Sequence, residues 1–494
     1  MDYLLLFKRL LPEVLLTLTA LAILGLDLGV WQRLPVSLRK SLAAFEHTLG
    51  CVGVWLWIGA TGESGHFYNG LWILDPSIVF LKQVLLGLTL GTAWLTRETD
   101  FSRHVGEYFA LLILSTVGMF CLVSTENLLL AFVSLELLSL SLYLMTAFSK
   151  DDPKSAEAGL KYFLFGGLSA AVLLYGVSLL YGLSGEIQLT DMAAKLAAKP
   201  MEPALLLGMI FVAGGLGFKV AAVPFHLWAP DTYQGAPTPT AAFIASGSKV
   251  ASFYLLAKVV MVGLGGSAGS GSWHSFGPGW VPLLAILAAA SVVVGNLTAI
   301  AQLSLKRLLA YSAIAHAGYA LVGLLSNRPE GGQALLYYVV TYAVTSLGVF
   351  GVVAVVERST GSDAVDSLVG LSRRSPWLAW CLAVFLLSLA GIPPLAGFFG
   401  KFYLFTAALN TKDHPLGMLW LVLIALGMSC VALYYYLQVL KRVFVTEPPS
   451  GQKPIAIAWA TRLLLGICAV AVVVWGVYPQ LILQKFPLPS SLGK

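Results

Sequence analysis

Long apolar segments separated by short polar loops recur along the whole chain. A helix that crosses a bilayer needs about 20 apolar residues, so this pattern predicts an all-α polytopic membrane protein with about fourteen transmembrane helices. The loops are short, and the longest is 183–202. The predicted spans lie near 11–30, 41–60, 74–96, 106–122, 125–148, 157–182, 203–223, 237–262, 280–302, 305–326, 332–356, 376–410, 416–444 and 456–482.

Two of these segments are predicted to contain a broken helix. One runs into Pro224 and then Pro230, and the other, too long for a single straight span, carries a Pro-Pro pair at 393–394. Each has a lysine close to its break, Lys219 or Lys401. Corresponding broken helices in two halves indicate an inverted repeat with a site between the halves. We therefore predict N-terminal helices 1–3 at 1–105, two inverted five-helix repeats at 106–262 and 280–444, and a C-terminal helix 14 at 445–494.

Composition and loop charge agree with a chain solvated by lipid. Hydrophobic residues make up 58% of the chain and charged residues 11%, whereas soluble domains average about 25% charged. The net charge of +6 is spread over the loops without a basic patch, which argues against nucleic-acid binding. Sixteen Lys and Arg residues fall in one set of alternate loops, which predicts that this set is cytoplasmic and that both termini are non-cytoplasmic in the cell membrane. The opposite set holds eight, Lys8, Arg9, Lys195, Lys199, Arg328, Lys412, Lys485 and Lys494.

Cysteine and histidine spacing predicts no metal site and no cofactor site. The five cysteines lie in apolar stretches and form no CxxC motif, so they are expected to be packing residues. The seven histidines lack the paired spacing on two helices that a transmembrane haem needs.

Four charged residues stand inside predicted helices, where an ionised side chain costs about 2.5–3.5 kcal/mol at the centre of the span. Glu136 lies about ten residues, or roughly 15 Å, from either end of its helix. Lys249 lies about twelve residues, or roughly 18 Å, into its own. Lys219 and Lys401 flank the breaks. The alternative for Glu136 is a neutral, hydrogen-bonded core acid, and for Lys219 it is a side chain that snorkels towards the break.

The surroundings of Lys219 favour close packing. Gly214, Gly215 and Gly217 are expected to let another helix approach closely, and Pro224 frees backbone carbonyls that can accept a hydrogen bond from a lysine. Lys258, near the outer end of the helix that carries Lys249, is expected to snorkel to the surface instead.

Three further residues are candidate members of a proton relay. Lys161 lies about one turn into its helix, where snorkelling is the alternative. His226 stands beside the first break and His316 lies in the middle of a helix. Histidine titrates near neutral pH, although a lone histidine can also be a satisfied core residue.

A row of buried lysines with one glutamate suits proton transfer. A buried lysine can take up and release a proton near neutral pH if a neighbouring group alternates between a charged and a neutral state. Binding of Na⁺ or K⁺ is disfavoured, because ammonium groups repel cations and offer no acceptor.

The segment GFKVAAVPFHLWAPDTYQGAPTPTAAFIASGSK closely resembles the antiporter-like subunits of respiratory complex I, the proton-pumping NADH:quinone oxidoreductase. Its PDTYQGAPTP form is most similar to the N subunit family, as are SLELLSLSLYL, SAIAHAGYALVG and SLAGIPPLAGFFGKFY. A lysine at 401 resembles the N or L subunit rather than M, and the chain lacks the long C-terminal lateral helix expected of L.

The resemblance implies a role for each buried charge in a proton-translocating membrane-arm subunit. Glu136 and Lys219 would form the charge pair of the first half-channel, Lys249 the central relay lysine and Lys401 the terminal lysine of the second half-channel. Lys161, His226 and His316 match less well-defined relay positions. The family holds no flavin, iron–sulfur cluster or quinone site in this subunit, which implies that partner membrane and peripheral subunits carry the electrons.

Two alternatives remain open from the sequence. One is a subunit of a multi-subunit cation/proton antiporter, or of a membrane-bound hydrogenase, on the same fold. The other is a structural spacer that holds a membrane assembly together without conducting.

Overall fold

The computed structural model is almost wholly α-helical, and its described residues are 7–61, 64–410, 416–447 and 453–486. The predicted all-α class is confirmed. Lys412 and Lys494, two of the loop residues counted above, lie outside the described residues. In chain order the described helices of at least eight residues are α1 (Leu11–Gly29), α2 (Val36–Thr61), α3 (Pro76–Arg97), α4 (Val105–Val123), α5 (Leu128–Thr146), α6 (Pro153–Ser184), α7 (Leu189–Ala197), α8 (Pro203–Val220), α9 (Trp228–Gly235), α10 (Thr238–Gly263), α11 (Trp280–Ala299), α12 (Leu305–Leu324), α13 (Pro329–Thr360), α14 (Pro376–Ala390), α15 (Ala396–Leu409), α16 (Leu419–Phe444) and α17 (Trp459–Val477).

Most of these helices can cross a membrane. Within the described ranges, twelve have the length and mean hydropathy of a span. α12 is not among these twelve, but with 20 residues it is also long enough to span. α14 and α15, with 15 and 14 residues, are each too short to span alone and follow one another across the second predicted break. The polytopic membrane class is confirmed, and the count of fourteen spans stays a prediction.

The loops contain structure that hydropathy did not predict. The longest predicted loop holds the amphipathic helix α7, whose Leu189, Met192 and Leu196 are buried on one face. Nine residues are too few to span, so a search for apolar segments passes over this helix. Two antiparallel hairpins also occur, β1 (Gly65–Phe67) with β2 (Trp72–Leu74), and β3 (Ser270–Ser272) with β4 (Ser275–Gly277).

Helix ends follow local sequence signals. The side chains of Asp75, Asn127 and Asp152 accept hydrogen bonds from first-turn N–H groups of α3, α5 and α6. Gly185 and Gly361, both in the left-handed conformation, end α6 and α13. α6 and α13 are the longest described helices, with 32 residues each.

The core of the bundle is formed by α10 and α13. In their most apolar stretches 89% of the residues of α10 and 94% of those of α13 are buried, against 33% for α1, α2, α6 and α16. The outer helices therefore present apolar faces outwards and shield the central pair. Charged side chains on α10 lie in a protein interior rather than in lipid.

Both predicted helix breaks are present. α8 ends at Val220 and the chain resumes as α9 at Trp228, while α14 ends at Ala390 and resumes as α15 at Ala396. The residue after each first half is left-handed, Ala221 with φ 60° and Gly391 with φ 89°. The peptide bonds before Pro224 and Pro394 are cis. The inverted repeat and its boundaries stay a prediction.

The glycines before the first break have two different neighbours. A Cβ on Gly215 would lie 2.9 Å from the Cα of Leu173 on α6, so this glycine allows the predicted close approach of two helices. A Cβ on Gly214 or Gly217 would instead meet the ring of Phe225, at 3.2 and 3.0 Å. Gly214 and Gly217 thus make room for the Phe225 ring, which lies in the break, and not for a neighbouring helix as predicted.

Candidate functional site

Lys219 lies at the end of α8 and is buried against α5. Its Nζ donates to Ser139 Oγ at 2.5 Å and to Tyr143 Oη at 3.2 Å. The rings of Tyr143 and Phe218 lie 5.6 and 5.5 Å from the ammonium, close enough for cation–π attraction. Lys219 is therefore held by hydroxyl groups and rings, and does not snorkel.

Glu136 stands one helical turn before Ser139 on α5. It is partly buried, and its Oε1 is buried without a hydrogen-bond partner among the described residues. It lies within electrostatic range of Lys219, but the described ion pairs do not join the two side chains directly. Ser139 and Tyr143, which bind Lys219, stand on the same helix face as Glu136, at i+3 and i+7 from it. The sequence reasoning missed both, although the helical spacing of polar residues in SLELLSLSLYL marks them.

Lys249 on α10 binds the carbonyl end of α8. Its buried Nζ donates to the carbonyl oxygen of Val220 at 2.6 Å and, more weakly, to that of Ala313 at 3.5 Å. Val220 is the last residue of α8, and the turn at Ala221 leaves its carbonyl free of the helix ladder. An ammonium group is the favourable partner for the negative end of a helix. Lys249 therefore binds the residue that directly follows Lys219 in the chain.

Lys401 performs the same task at the second break from within the broken helix. From α15 its buried Nζ reaches back to the carbonyl oxygens of Leu389 and Ala390 at 3.1 and 3.0 Å, the last residues of α14. Ser429 Oγ on α16 accepts a third bond at 2.8 Å. The ammonium also lies 4.8 Å from the ring of Tyr319.

A network of hydroxyl and amide groups lies between the two breaks. Buried His316 on α12 is hydrogen-bonded through Nδ1 to Tyr338 Oη at 2.6 Å and through Nε2 to Tyr436 Oη at 3.3 Å. Asn296 donates to Tyr319 Oη at 3.0 Å, and the rings of Tyr319 and His316 meet edge to face at 5.7 Å. His316 lies within electrostatic range of Lys249 and Lys401. The histidine was predicted from the sequence, but its hydrogen-bond partners on two other helices, α13 and α16, were not.

His226 lies within the first break and is half-buried. Its Nδ1 has no partner within hydrogen-bond geometry among the described residues. The described hydrogen bonds of Lys219 and Lys249 do not include it. Its predicted relay role stays a prediction.

Lys161 belongs to an ionic network at the end of the bundle where α10 begins. Its side chain is 39% exposed and pairs with Glu157 at 2.6 Å and Asp231 at 2.7 Å. Asp231 also accepts from Arg307 on α12 at 2.6 Å, so it links α6, α9 and α12. Asp231 lies outside the candidate spans. Burial raises the pKa of Asp231, but the hydrogen bonds from Lys161 and Arg307 more than offset this and hold its pKa below the ordinary value.

An open cavity of about 640 Å³ lies at this end of the bundle. Lys306, which is buried, pairs with Glu357 at 2.7 Å, and Thr238 at the start of α10 donates to the same carboxylate. Loop charges and hydropathy did not predict a cavity here. Its walls include Asp152, Lys154, Gln234, Thr238, Lys306, Glu357 and Arg358.

Lys258 does not snorkel, which corrects the prediction. It is 7% exposed, and its Nζ donates to the carbonyl oxygens of Val123 at 2.7 Å and Thr125 at 2.9 Å. The connection between α4 and α5 folds over the end of α10 and provides these acceptors, so the side chain has no need to extend to the surface.

Comparison with known proteins finds the same architecture in subunits of multi-subunit membrane complexes. A family model described as NADH:quinone oxidoreductase/Mrp antiporter, TM matches residues 125–431. NADH-quinone oxidoreductase subunit N 2 of Acidobacterium capsulatum is 47% identical over 488 residues, covering 97% of this chain and 98% of that protein. A chain of respiratory complex I from Thermus thermophilus is 34% identical with a TM-score of 0.77, over 96% of this chain and 98% of that one. A chain of the Mrp complex from Dietzia sp. DQ12-45-1b shares the fold, with a TM-score of 0.80 and 20% identity over 98% and 96% of the two chains.

Proposed function

This chain belongs to the NADH:quinone oxidoreductase/Mrp antiporter transmembrane family, and we propose that it is a proton-translocating membrane-arm subunit of an NADH-type:quinone oxidoreductase. The 47% identity to a protein named as such a subunit, over nearly the full length of both, supports this proposal. The observation that carries it is the way in which Lys219, Lys249 and Lys401 are bound. All three are buried, and among the described ion pairs none of them joins a carboxylate.

The proposed relay uses the neutral partners of these lysines. A lysine bound to carbonyls or hydroxyls can lose its proton without leaving an unpaired carboxylate behind. Serine and tyrosine hydroxyls can both accept and donate, so they can pass a proton on. The proposed order starts at Glu136, passes through Ser139 and Tyr143 to Lys219 and then Lys249, and continues through the network around His316 to Lys401. Lys161 and His226 are proposed as peripheral members.

Partner subunits supply the chemistry that drives the relay. In this proposal flavin, iron–sulfur clusters and quinone are bound by other membrane and peripheral subunits, and this chain moves protons without carrying electrons. Glu136 lies between Val133 and Leu140 on one flank of α5, and both of these side chains are exposed. A neighbouring subunit on that flank can sense or set the charge of Glu136. We place the assembly in the cell membrane, with both termini of this chain on the non-cytoplasmic side.

The test uses the native complex reconstituted into proteoliposomes. The complex should show flavin and iron–sulfur absorbance and acidify one side during NADH oxidation. Glu136→Ala and Lys249→Ala should each lower the number of protons moved per NADH, because each removes a titratable member of the row. Lys195→Ala, at an exposed lysine on α7, is the matched control.

Two results would contradict the proposal. Sodium-dependent exchange by an assembly without redox subunits would instead identify an antiporter of the kind that shares this fold. Unchanged pumping in both alanine variants would identify a structural spacer.

A further inference from the structure

A second group of buried charges lies at the opposite end of α10 from Asp231. α10 starts at Thr238, and Lys258 follows 20 residues later, roughly 30 Å along the helix and close to the thickness of the hydrocarbon core. Around Lys258 stand Lys82 of α3, Glu13 of α1 and the carboxylates of Asp75 and Glu126. We call these five residues the N-terminal charge cluster, because α1 to α4 and the loop after α4 provide four of them.

Lys82 and Glu13 form a buried ion pair. Nζ and Oε1 are 2.7 Å apart, with 1% and 6% of the side chains exposed. The rings of Trp72 and Phe120 lie 4.9 and 5.2 Å from the ammonium. Glu13 Oε2 is also buried and has no hydrogen-bond partner among the described residues. One carboxylate oxygen therefore remains able to accept a proton.

Lys258 faces both signs of charge. Glu126 and Asp75 lie within electrostatic range of its ammonium, and so does Lys82, which repels it. The ring of Tyr254 lies 4.7 Å away. Glu126 and Asp75 act on the ammonium of Lys258 more strongly than Lys82 and favour it, while Lys82 opposes them. The protonation of Lys258 is therefore coupled to the charges of these neighbours.

Unpaired polar atoms surround the cluster. Trp72 Nε1, Ser124 Oγ, Glu126 Oε2 and Gln188 Oε1 are buried without a hydrogen-bond partner in the part of the chain described. Backbone hydrogen bonds hold the segments that carry these atoms together. Ile73 N–H donates to the carbonyl of Ser124 at 2.7 Å, and residues 127 and 188 form a β-bridge. Buried polar atoms in this situation bind ordered water, which carries protons between side chains.

Lys249 and Lys258 lie on one helix but on opposite sides of it. Nine residues are two and a half turns, so the two side chains are half a turn out of phase and roughly 13 Å apart along the axis. Ser252 stands on the flank between them. Its Oγ is buried and has no partner among the described residues, so a polar group without a fixed partner lies between the two lysines.

We propose that the N-terminal charge cluster, which includes Lys258, forms a proton-release branch that lets protons leave the relay without passing Lys401. The branch rests on the function proposed above and extends it. In this branch Lys258 receives a proton that leaves the relay at Lys249. It then gives one proton to the carboxylate of Glu126 or Asp75, so that an N–H bond breaks and an O–H bond forms. The acid passes the proton to water at the membrane face where α1 begins. Lys82 and Glu13 set the local charge.

The test measures protons moved per NADH oxidised by the reconstituted complex. Lys258→Met removes the ammonium at similar volume, whereas Lys258→Arg keeps the positive charge and the donors but cannot release a proton at neutral pH. Lys401→Met closes the other route. Lys195→Met is the matched control, and the rate of NADH oxidation reports whether each complex is assembled.

The branch predicts a specific pattern. Lys258→Met and Lys258→Arg should both lower the yield in part, as should Lys401→Met. The double variant Lys258→Met/Lys401→Met should fall to the level of Lys249→Met. The branch is overturned if Lys258→Arg restores the normal yield, which would make Lys258 a structural cap, or if the double variant matches Lys401→Met alone. Normal pumping by Lys249→Met would overturn the proposed function, and the branch with it.

Discussion

At both helix breaks a lysine binds the backbone carbonyls that the end of a half-helix leaves free, but the two lysines lie in different places relative to their breaks. At the first break the free carbonyl of Val220 is bound by Lys249, which comes from the neighbouring helix α10. At the second break the free carbonyls of Leu389 and Ala390 are bound by Lys401, which follows them in the broken helix itself. The common feature is an ammonium group on the carbonyl end of a half-helix. Position along the chain is therefore a poor guide to which lysines correspond.

The comparison assigns a different task to Lys219. It precedes its break and binds the hydroxyls of Ser139 and Tyr143 rather than break carbonyls. In contacts, the counterpart of Lys401 is thus Lys249, and Lys219 is an additional lysine that binds hydroxyls on the helix of Glu136. The first break has two lysines with a carboxylate nearby, whereas the second has one lysine among rings and hydroxyls.

The largest effect is expected at the lysine that both routes share. Lys249→Met should slow proton transfer through this subunit about 100-fold, the usual scale for losing a positioned acid–base group. Proton yield per NADH in proteoliposomes measures it, and Lys441→Met, at an exposed lysine near the end of α16, is the control. A yield no lower than that of Lys441→Met would break the assignment of Lys249 as the shared lysine.

The next effect separates the hydroxyl-bound lysine from the carbonyl-bound ones. Ser139→Ala should slow transfer about tenfold, in line with the roughly 1–3 kcal/mol cost of leaving a buried donor unpaired. Ser141→Ala is a close control, because among the described residues its hydroxyl bonds only the carbonyl of Leu137 on the same helix. Equal yields from the two variants would mean that the first break works without the connection to Glu136.

A smaller loss is expected between the breaks. His316→Phe removes both ring nitrogens at similar volume, and should lower the proton yield in part while leaving more than Lys249→Met does, because protons can still leave through Lys258. His47→Phe is the control, since this buried histidine lies in α2, outside both predicted repeats, and packs on Phe109. If His316→Phe lowers the proton yield as far as Lys249→Met does, protons have a single route, which passes through His316.

The smallest effect concerns stability at the ion pairs of Asp231, which link α6, α9 and α12. The pKa of Asp231 lies below its ordinary value, so its ion pairs contribute fully above the unfolded pKa near 3.9 and are lost as pH falls through the lowered pKa. Asp231→Asn should lower the melting temperature at pH 7 by no more than about 2 °C, as expected for partly exposed pairs. The difference should shrink below pH 4 in fluorescence-monitored melting. A difference that grows with acidity would reverse the assigned sign.

Hydropathy and isolated charges predicted much of this molecule. The spans, the two breaks and the burial of Lys219 and Lys249 follow from apolar length, proline position and the cost of a charge in lipid. The lysine partners did not follow, because the acceptors are backbone carbonyls that become free only where a helix ends. Lys258 was placed at the surface because nothing in the sequence shows that the loop after α4 folds over it.

Lys82 shows a second limit of prediction from the sequence. It stands in an apolar run much as Lys249 does, and the same reasoning applied to it would have marked it. Its partner Glu13 lies 69 residues away near a helix start, where carboxylates are common and carry little information. Pairing of this kind depends on how helices are arranged around each other, which one sequence does not specify.

The length of α6 and α13 has a consequence for how the protein sits in a bilayer. A helix of 32 residues is roughly 48 Å long, whereas the hydrocarbon core is about 30 Å thick. The first turn of α6 and the last turns of α13 both line the 640 Å³ cavity. From this excess length we predict that those walls extend beyond the hydrocarbon core into the headgroup layer. Water would then reach the start of α10 through the cavity without any thinning of the bilayer.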